Sequence, residues 1–261
     1  MSFKDTTNKM FSLEGKVAVV TGGGRGLGKT ISEGLAEFGA RVAVIEIDEE
    51  TCRCTAEEIK QKYNNDSFSI TLDVSNVKEI EAGMEKIFKK FGQIDILVNN
   101  AGVVCRNPIV DMDEANWDRV MDINVKGSYF CAKEAAKYMM RRKYGKIINI
   151  ASISSYRGIA NRSVYCISKG AILQATKVMA VELAPYNIHV NAIAPCYLDT
   201  PLTRPLYDED KEFYDYIMRK TPLKRIAKPH ELIGGIIYLA SDSSDMVTGA
   251  TLPIDGGWLA E

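Results

Sequence analysis

The stretch that decides the fold is VVTGGGRGLGKT, residues 19–30. It follows KVAVV, residues 16–20, a mostly apolar run that predicts a strand buried on both faces. A helical pattern comes next. Between the two, Gly22, Gly26 and Gly28 let the backbone turn sharply and approach a ligand closely. The free N–H groups at the helix start attract an anion. The spacing G-x-x-x-G-x-G differs from the usual G-x-G-x-x-G, so the position between strand and helix carries the prediction of a pyrophosphate-binding loop.

Strand and helix patterns alternate along the rest of the chain. Strands are predicted over residues 16–20, 40–47, about 67–72, 95–100, 145–152, 188–195 and about 249–254. Helices are predicted over about residues 26–39, 49–63, 76–91, 113–142, 163–185 and 229–241. This alternation predicts a single α/β domain over residues 1–261: a doubly wound, parallel seven-stranded sheet with helices on both faces, a Rossmann-like architecture.

Residues 196–228, called the lid segment below, break this rhythm. The segment is polar and rich in aromatic residues and prolines, and it predicts a long irregular insert. It follows the C-terminal end of a predicted strand, where doubly wound sheets bind ligands. We therefore expect a substrate lid there; a variable surface loop is the alternative.

The composition excludes several classes of protein. The chain has 261 residues, 46% hydrophobic and 26% charged, with a net charge of −1, which is typical of a globular protein and gives no support to a nucleic-acid or membrane partner. No signal-peptide core or membrane-length apolar run is present, so we expect a cytoplasmic protein. Six scattered cysteines and two histidines favour reduced thiols, no metal site and no Ser-His-Asp hydrolase.

The stretch SVYCISKGA, residues 163–171, places Tyr165 one helical turn before Lys169. In a helix these two side chains share one face. A phenol with its ordinary pKa near 10 is a poor acid or base at neutral pH, and a nearby cation lowers that pKa. The pair is therefore a candidate acid/base; an ordinary amphipathic helix is the alternative.

Several motifs in order make the chain resemble the short-chain dehydrogenase/reductase family over essentially its whole length. They are TGGGRGLG (21–28), NNAG (99–102), Asn124 in DINV, Ser152 in INIAS, Tyr165 and Lys169 in YCISK, and VNAIAP (190–195). The resemblance implies that Tyr165 is the general acid/base and that Lys169 lowers its pKa and binds the nicotinamide ribose. It also implies that Ser152 hydrogen-bonds the substrate oxygen and that Asn124 supports a water beside Lys169.

The resemblance also implies a nicotinamide cofactor. The expected contact residues are Gly22, Arg25, Gly26, Leu27, Gly28, Glu46, Asp73, Val74, Asn100, Ala101, Gly102, Tyr165, Lys169, Pro195 and Thr200. Glu46, near the end of the second strand, would accept hydrogen bonds from the ribose hydroxyls and repel a 2′-phosphate. Asp48 is a competing candidate, and Arg25 is a feature of NADP users. We expect NAD rather than NADP, because no arginine follows Glu46.

The chain departs from the family pattern at Cys196, where a glycine usually follows the proline. Cysteine needs an ordinary backbone conformation or bears strain. Either a small residue is tolerated there, or the thiol forms a site whose oxidation or alkylation blocks the cofactor.

Within the family, the chain is most similar to the sugar-acid and polyol branch, the gluconate and deoxygluconate dehydrogenases. The similar stretches are FSLEGKVAVVTG (11–22), VELAPYNIHVNAIAP (181–195), RKTPLKRIAKPHELIG (219–234) and DGGWLA (255–260). We expect the substrate to contact Ser152, Tyr165, Arg106, Arg162 and Tyr197, with an arginine gripping a carboxylate.

The expected activity is reversible oxidation of a secondary alcohol on a sugar acid or polyol. A hydroxysteroid dehydrogenase and a 3-oxoacyl thioester reductase are alternative enzymes, and a cofactor-binding regulator without turnover is the alternative from another class. The resemblance further implies a homotetramer formed through residues 113–142 and 163–185. Trp258 and Leu259 would be covered by a partner subunit.

Overall fold

A computed structural model of the chain describes residues 9–200 and 203–261. Its seven strands form one sheet in the order β3-β2-β1-β4-β5-β6-β7, and every neighbouring pair is parallel. The strands are β1 (Val17–Thr21), β2 (Arg41–Glu46), β3 (Phe68–Thr71), β4 (Ile96–Asn99), β5 (Gly145–Ile150), β6 (Ile188–Pro195) and β7 (Thr251–Ile254). The predicted doubly wound parallel seven-stranded sheet is confirmed.

Helices cover both faces of this sheet. They are α1 (Gly26–Glu37), α2 (Glu49–Tyr63), α3 (Val77–Phe91), α4 (Glu114–Met121), α5 (Ser128–Arg142), α6 (Ser163–Leu183), α7 (Arg204–Glu209), α8 (Lys211–Lys220) and α9 (Ile233–Ala240). One buried core joins α1, α2 and α9 to one side of the sheet, and a second joins α3 and α5 to the other. The central strands β1, β4 and β5 are buried along their whole length, which explains why apolar residues dominate their sequences without strict alternation.

The strand order reverses between β1 and β4, which are direct neighbours in the sheet. The glycine loop leaves β1 at this point and the NNAG motif leaves β4. A crevice at such a reversal, outside the carboxyl ends of the strands, is where open α/β sheets bind ligands. The fold therefore brings the two motifs to one binding position.

Two local predictions differ from the structure. The continuous helix expected over residues 113–142 is interrupted by a π-helical segment, Asp122–Gly127. The lid segment, expected to be irregular, contains α7 and α8, and the Asp210 side chain caps α8 by accepting from the Phe213 N–H. Residues 201–202 of the segment lie outside the described residues.

The tail is also placed differently from expectation. Trp258 is only 7% exposed within a single chain, and its ring lies 5.4 Å from Tyr197 and 5.7 Å from Tyr216. The expectation that a partner subunit covers Trp258 is therefore wrong, because the chain's own lid segment does so. Within the described part of the chain, no helix is both long and apolar enough to span a bilayer.

Candidate active site

The glycine loop is too tightly packed for side chains at two of its positions. A Cβ on Gly28 would lie 1.9 Å from the Gly22 carbonyl oxygen, and Gly22 has φ of +61°. At Gly26, φ is +53° and the space beside the Cα is open. The backbone therefore presents a bare concave surface at the start of α1, as a pyrophosphate requires.

The start of α1 is free to receive an anion. Arg25 precedes the helix without a side-chain cap, and no acidic residue lies in the first turn. The first N–H groups of the helix are therefore left without a capping side chain and coincide with the positive end of the helix dipole. These features fit the phosphates of a dinucleotide.

The NNAG motif holds the glycine loop in place. The Asn100 Nδ2 donates to the carbonyl oxygens of Thr21 and Gly22, each at 3.0 Å. In return, the Thr21 hydroxyl accepts from the N–H groups of Asn100 and Ala101 at 3.0 and 3.1 Å. Thr21 was missed by the sequence interpretation, although it sits at the motif's first position as a buried polar residue at a strand end.

Glu46 and Asp48 have different tasks at the end of β2. Glu46 is only 5% exposed, and its Oε1 accepts from the Ile47 N–H at 3.0 Å beside Gly24 of the glycine loop. Asp48 instead caps α2, accepting from the Thr51 N–H at 2.8 Å. The hydrogen bonds from Thr51, with a smaller effect of the Arg25 charge, lower the pKa of Asp48. Glu46 is thus the carboxylate that faces the loop.

Ser152, Tyr165 and Lys169 lie together where β5 ends. The Lys169 Nζ donates to the Ile150 carbonyl oxygen at 2.6 Å and lies 5.8 Å from the centre of the Tyr165 ring. Burial raises the pKa of Tyr165, whereas hydrogen bonding with Ser152 and the charge of Arg162 lower it. Burial also lowers the pKa of Lys169 to about 8. The expected influence of Lys169 on the phenol stays a prediction.

Asn124 lies in the π-helical segment and is almost fully buried. Its Oδ1 accepts from the Val103 N–H at 2.8 Å, and its Nδ2 donates to the Val103 carbonyl at 2.9 Å and to the Ser168 hydroxyl at 3.0 Å. A Cβ on Gly102 would lie 3.3 Å from the Asn124 Oδ1 and 3.7 Å from the Lys169 Nζ. The π-bulge therefore carries Asn124 to the neighbourhood of Lys169, as such bulges often do at functional sites.

Two arginines lie beside this group. The guanidinium carbon of Arg162 is 5.5 Å from the Tyr197 ring centre, and the backbones of Arg162 and Asn107 form a β-bridge. Burial, followed by the like charge of Arg162, lowers the pKa of Arg106. Among the described residues, neither arginine has a carboxylate within 4 Å, and the buried Tyr197 hydroxyl has no hydrogen-bond partner. This concentration of unpaired polar groups suits an anionic, hydroxylated ligand.

Comparison with known proteins identifies the family. A family model described as Enoyl-(Acyl carrier protein) reductase matches residues 22–259. The chain belongs to the short-chain dehydrogenase/reductase family. It is 42% identical over 253 residues to the 2-dehydro-3-deoxy-D-gluconate 5-dehydrogenase of Escherichia coli K12, covering 96% of this chain and 98% of the relative. It is 38% identical over 252 residues to the 5-keto-D-gluconate 5-reductase of the same strain, covering 97% and 98%.

A solved short-chain dehydrogenase/reductase structure matches closely. The gluconate 5-dehydrogenase of Burkholderia cenocepacia J2315, in complex with NADP and tartrate, is 36% identical with a TM-score of 0.94. The match covers 98% of this chain and 99% of that one. The predictions of family and of an oxidoreductase acting on CH–OH donors with a nicotinamide cofactor are confirmed.

The remaining residues expected to contact the cofactor occupy the same edge of this dehydrogenase/reductase sheet. The Asp73 Oδ1 accepts from the Ser75 N–H at 2.8 Å, and the buried Val74 packs against Gly127 at the end of the π-helical segment. Pro195 ends β6, and the Thr200 hydroxyl lies 2.9 Å from that of Thr203. Leu27 is half-buried in the first turn of α1.

Cys196 replaces the family's usual glycine without backbone strain, since its φ is not positive. Burial raises the pKa of its thiol to about 12. The nucleophilic thiolate is therefore scarce at neutral pH, which favours the interpretation as a tolerated small residue over a reactive site.

Proposed function

We propose that this protein catalyses the reversible, NAD-linked oxidation of a secondary alcohol on a five- or six-carbon sugar acid or polyol. The observation that carries the proposal is the grouping of Ser152, Tyr165 and Lys169 beside two arginines that lack carboxylate partners among the described residues. The three similar proteins described above are gluconate-type enzymes, which supports the same substrate class.

Tyr165 is the group that exchanges a proton with the substrate oxygen. Ser152 donates a hydrogen bond to that oxygen as negative charge develops on it. Lys169, whose pKa is lowered to about 8 by burial, stands next to Asn124 and can relay protons near neutral pH. A bound nicotinamide supplies or accepts the hydride, and the chain supplies orientation and the proton.

The dinucleotide is held by the residues that shape the crevice. Gly22, Gly26 and Gly28 leave room for the pyrophosphate at the start of α1, where Arg25 and Leu27 flank it. The adenosine half rests on Glu46, Asp73, Val74, Asn100, Ala101 and Gly102. The nicotinamide half is held by Tyr165, Lys169, Pro195 and Thr200.

The preference for NAD rests on Glu46. A 2′-phosphate beside this buried carboxylate would suffer like-charge repulsion in a partly desolvated pocket, and Ile47 supplies no cation to offset it. Glu46→Ala should lower the ratio of kcat/KM with NAD to that with NADP about tenfold. Asp48→Asn is the matched control, because asparagine also caps a helix and should leave the ratio unchanged. A wild-type preference for NADP would overturn the assignment.

The substrate carboxylate is assigned to Arg106, with Arg162 and Tyr197 completing the pocket. Arg106→Ala should raise KM for a sugar acid by about tenfold or more while changing KM for a neutral polyol little, because a charge-assisted hydrogen bond is lost in ground and transition states alike. Arg157→Ala is the control, since the Arg157 guanidinium donates to the Glu261 carbonyl instead. Equal effects on both substrates would remove the carboxylate contact.

A substrate panel separates the proposed activity from its alternatives. Turnover confined to hydroxysteroids or to 3-oxoacyl thioesters would replace the sugar-acid assignment. Cofactor binding without turnover across sugar acids, polyols, steroids and thioesters would favour the regulator. Turnover of one sugar acid with NAD, abolished in Tyr165→Phe, would support the proposal.

The lid segment, the assembly and the location complete the proposal. The lid segment closes over the substrate through Tyr197 and α8. Exposed apolar side chains on α4, α5 and α6, namely Trp117, Tyr129, Val178 and Val181, support a homotetramer through these helices. Light scattering at assay concentration tests this state, and a monomer would contradict it. A cytoplasmic location is proposed on the sequence alone.

A further inference from the structure

Arginine is an unfavourable residue at the N-cap of a helix, and Arg162 occupies that position before α6. It stands directly before α6 and makes no side-chain cap to the helix. Serine, threonine, aspartate and asparagine stabilise that position, whereas a cation opposes the positive end of the helix dipole. A residue that breaks a local rule in this way indicates a task elsewhere in the fold.

The task lies in the lid segment. The Arg162 guanidinium carbon is 5.5 Å from the ring centre of Tyr197 and 5.7 Å from that of Phe213. Those two rings pack edge to face at 5.5 Å, so one cation contacts both Tyr197, the second residue after β6, and Phe213 of helix α8. Trp258 also packs against Tyr197, with 5.4 Å between the two ring centres. Cation–π contacts of this kind fix ring positions.

Arg162 is the residue that immediately precedes α6, and Tyr165 is the third residue of that helix. The side chain at an N-cap position and the third residue of the helix belong to the same first turn. No described carboxylate within 4 Å neutralises Arg162. Burial raises the pKa of Tyr165, and the hydrogen bond with Ser152 and then the charge of Arg162 act in the opposite direction.

Several other groups surround this pair and bear on how they titrate. Tyr165 faces Ser152 from the end of β5, and Cys166 and Lys169 from α6. Arg162 faces Arg106, Tyr197 and Tyr207.

We propose that Arg162 is a positioning residue that joins the lid segment to the acid/base: the cation that contacts Tyr197 and Phe213 also stands at the start of the helical turn that carries Tyr165. The position of the lid segment and the positive charge near Tyr165 then depend on the same side chain. The inference rests on the proposed role of Tyr165 and adds to it a residue that acts through others.

Two variants separate the stacking from the charge. Arg162→Lys keeps the charge and loses the planar face, whereas Arg162→Gln loses both. Arg157→Gln, in the same loop, is the control. In a Trp117→Phe background Trp258 is the sole tryptophan, because the chain has two, and its emission reports the packing of Tyr197.

We expect the Trp258 emission to change in both Arg162 variants and not in the control. In Arg162→Gln, the apparent pKa of the kcat–pH profile that reports Tyr165 should move upward, since the phenolate loses a favourable charge. Arg162→Lys should return this apparent pKa toward its original position without restoring the emission. The kcat should fall about tenfold for sugar acids and neutral polyols alike.

Three results would overturn the proposal. They are unchanged emission in Arg162→Gln, an unmoved pH profile of kcat, or an effect confined to the KM of carboxylate substrates, which would leave Arg162 with its substrate-pocket role alone. If the wild type turns over no sugar acid or polyol, the proposed function fails separately. The emission, and the tyrosinate absorbance titration of each enzyme minus that of its Tyr165→Phe counterpart, still decide whether Arg162 holds the lid segment and tunes the phenol.

Discussion

The two edges of the central sheet both hold buried ionisable groups, but they treat them in opposite ways. At the N-terminal edge, the fully buried Asp95 accepts from the Val17 N–H at 2.8 Å and from Gln93 at 2.6 Å, and pairs with Arg142. Lys146, also fully buried, donates to Asp245 at 2.8 Å. Every one of these charges has a partner.

At the C-terminal edge, charges and polar groups are left without charged partners. Lys169 donates to a carbonyl, Arg162 lies against aromatic rings, and the buried Tyr197 hydroxyl has no partner among the described residues. Burial shifts the pKa of Lys169 to about 8, into the range where it can titrate. The difference indicates that the first edge stabilises the fold, while the second is held ready for a ligand and a proton.

Removing the phenolic hydroxyl should produce the largest effect. Tyr165→Phe should lower kcat by about 10³-fold, because it deletes the proposed proton donor, while NADH binding and the melting temperature change little. Steady-state rates, NADH fluorescence titration and thermal denaturation measure the three quantities. Tyr156→Phe, an exposed tyrosine in the preceding loop, is the control. Near-normal turnover would remove Tyr165 from the mechanism.

Breaking the N-terminal edge should affect stability and not chemistry. Asp95→Ala should lower the free energy of unfolding by about 3 kcal/mol, because it leaves Arg142 without its ion-pair partner and the buried Val17 N–H without its acceptor. This loss corresponds to a fall in melting temperature of about 6–12 °C. The turnover of the remaining folded enzyme should be unchanged. Asp66→Ala removes an exposed ion pair with Lys90 and should change the melting temperature far less. A loss of turnover in folded Asp95→Ala would erase the contrast between the edges.

A smaller effect is expected where the π-helical segment meets α6. Ser168→Ala removes the hydroxyl that accepts from the Asn124 Nδ2 at 3.0 Å and donates to the Tyr165 carbonyl at 2.8 Å. Because Asn124 and Tyr165 lose alignment, kcat should fall about tenfold with little change in the KM for cofactor. An equal rise in the KM for substrate and the KM for cofactor, with kcat preserved, would assign Ser168 a binding role instead.

The smallest effect concerns His189 at the N-terminal edge. Burial, and then the charge of Lys146, lower its pKa, and its Nδ1 is buried without a partner among the described residues. The unfolded chain therefore binds a proton more readily than the folded one, so this residue's contribution falls as pH drops below about 6.5 toward the lower folded value.

The variant His189→Gln tests this pH dependence. Its melting temperature should fall less than that of the wild type between pH 7 and pH 5. The difference between the two falls should be no more than about 4 °C, which is about 1 kcal/mol for a chain of this size. Thermal denaturation at both pH values measures the difference. Parallel losses in the two proteins would show that His189 does not titrate with folding.

The pattern of apolar residues and the glycines between predicted elements were enough by themselves to determine the architecture. The runs of β1 and β4 are mostly apolar without alternation because both faces of each strand are covered, and a buried parallel sheet is the structure that needs such runs. The glycines of the loop also predicted where it lies, since only glycine fits at Gly28, where a Cβ would lie 1.9 Å from the Gly22 carbonyl oxygen. The spacing of Tyr165 and Lys169 on one helix likewise followed from local geometry.

Contacts between residues distant in the chain were decided only by the tertiary structure. The π-bulge at Asn124 forms because the amide pairs with the Val103 backbone, and Trp258 is buried because the lid segment folds back over it. Glu46 rather than Asp48 faces the glycine loop because Asp48 is used as a helix cap. The contact of Arg162 with Tyr197 and Phe213 joins residues 35 or more positions apart, and no local pattern records such a contact.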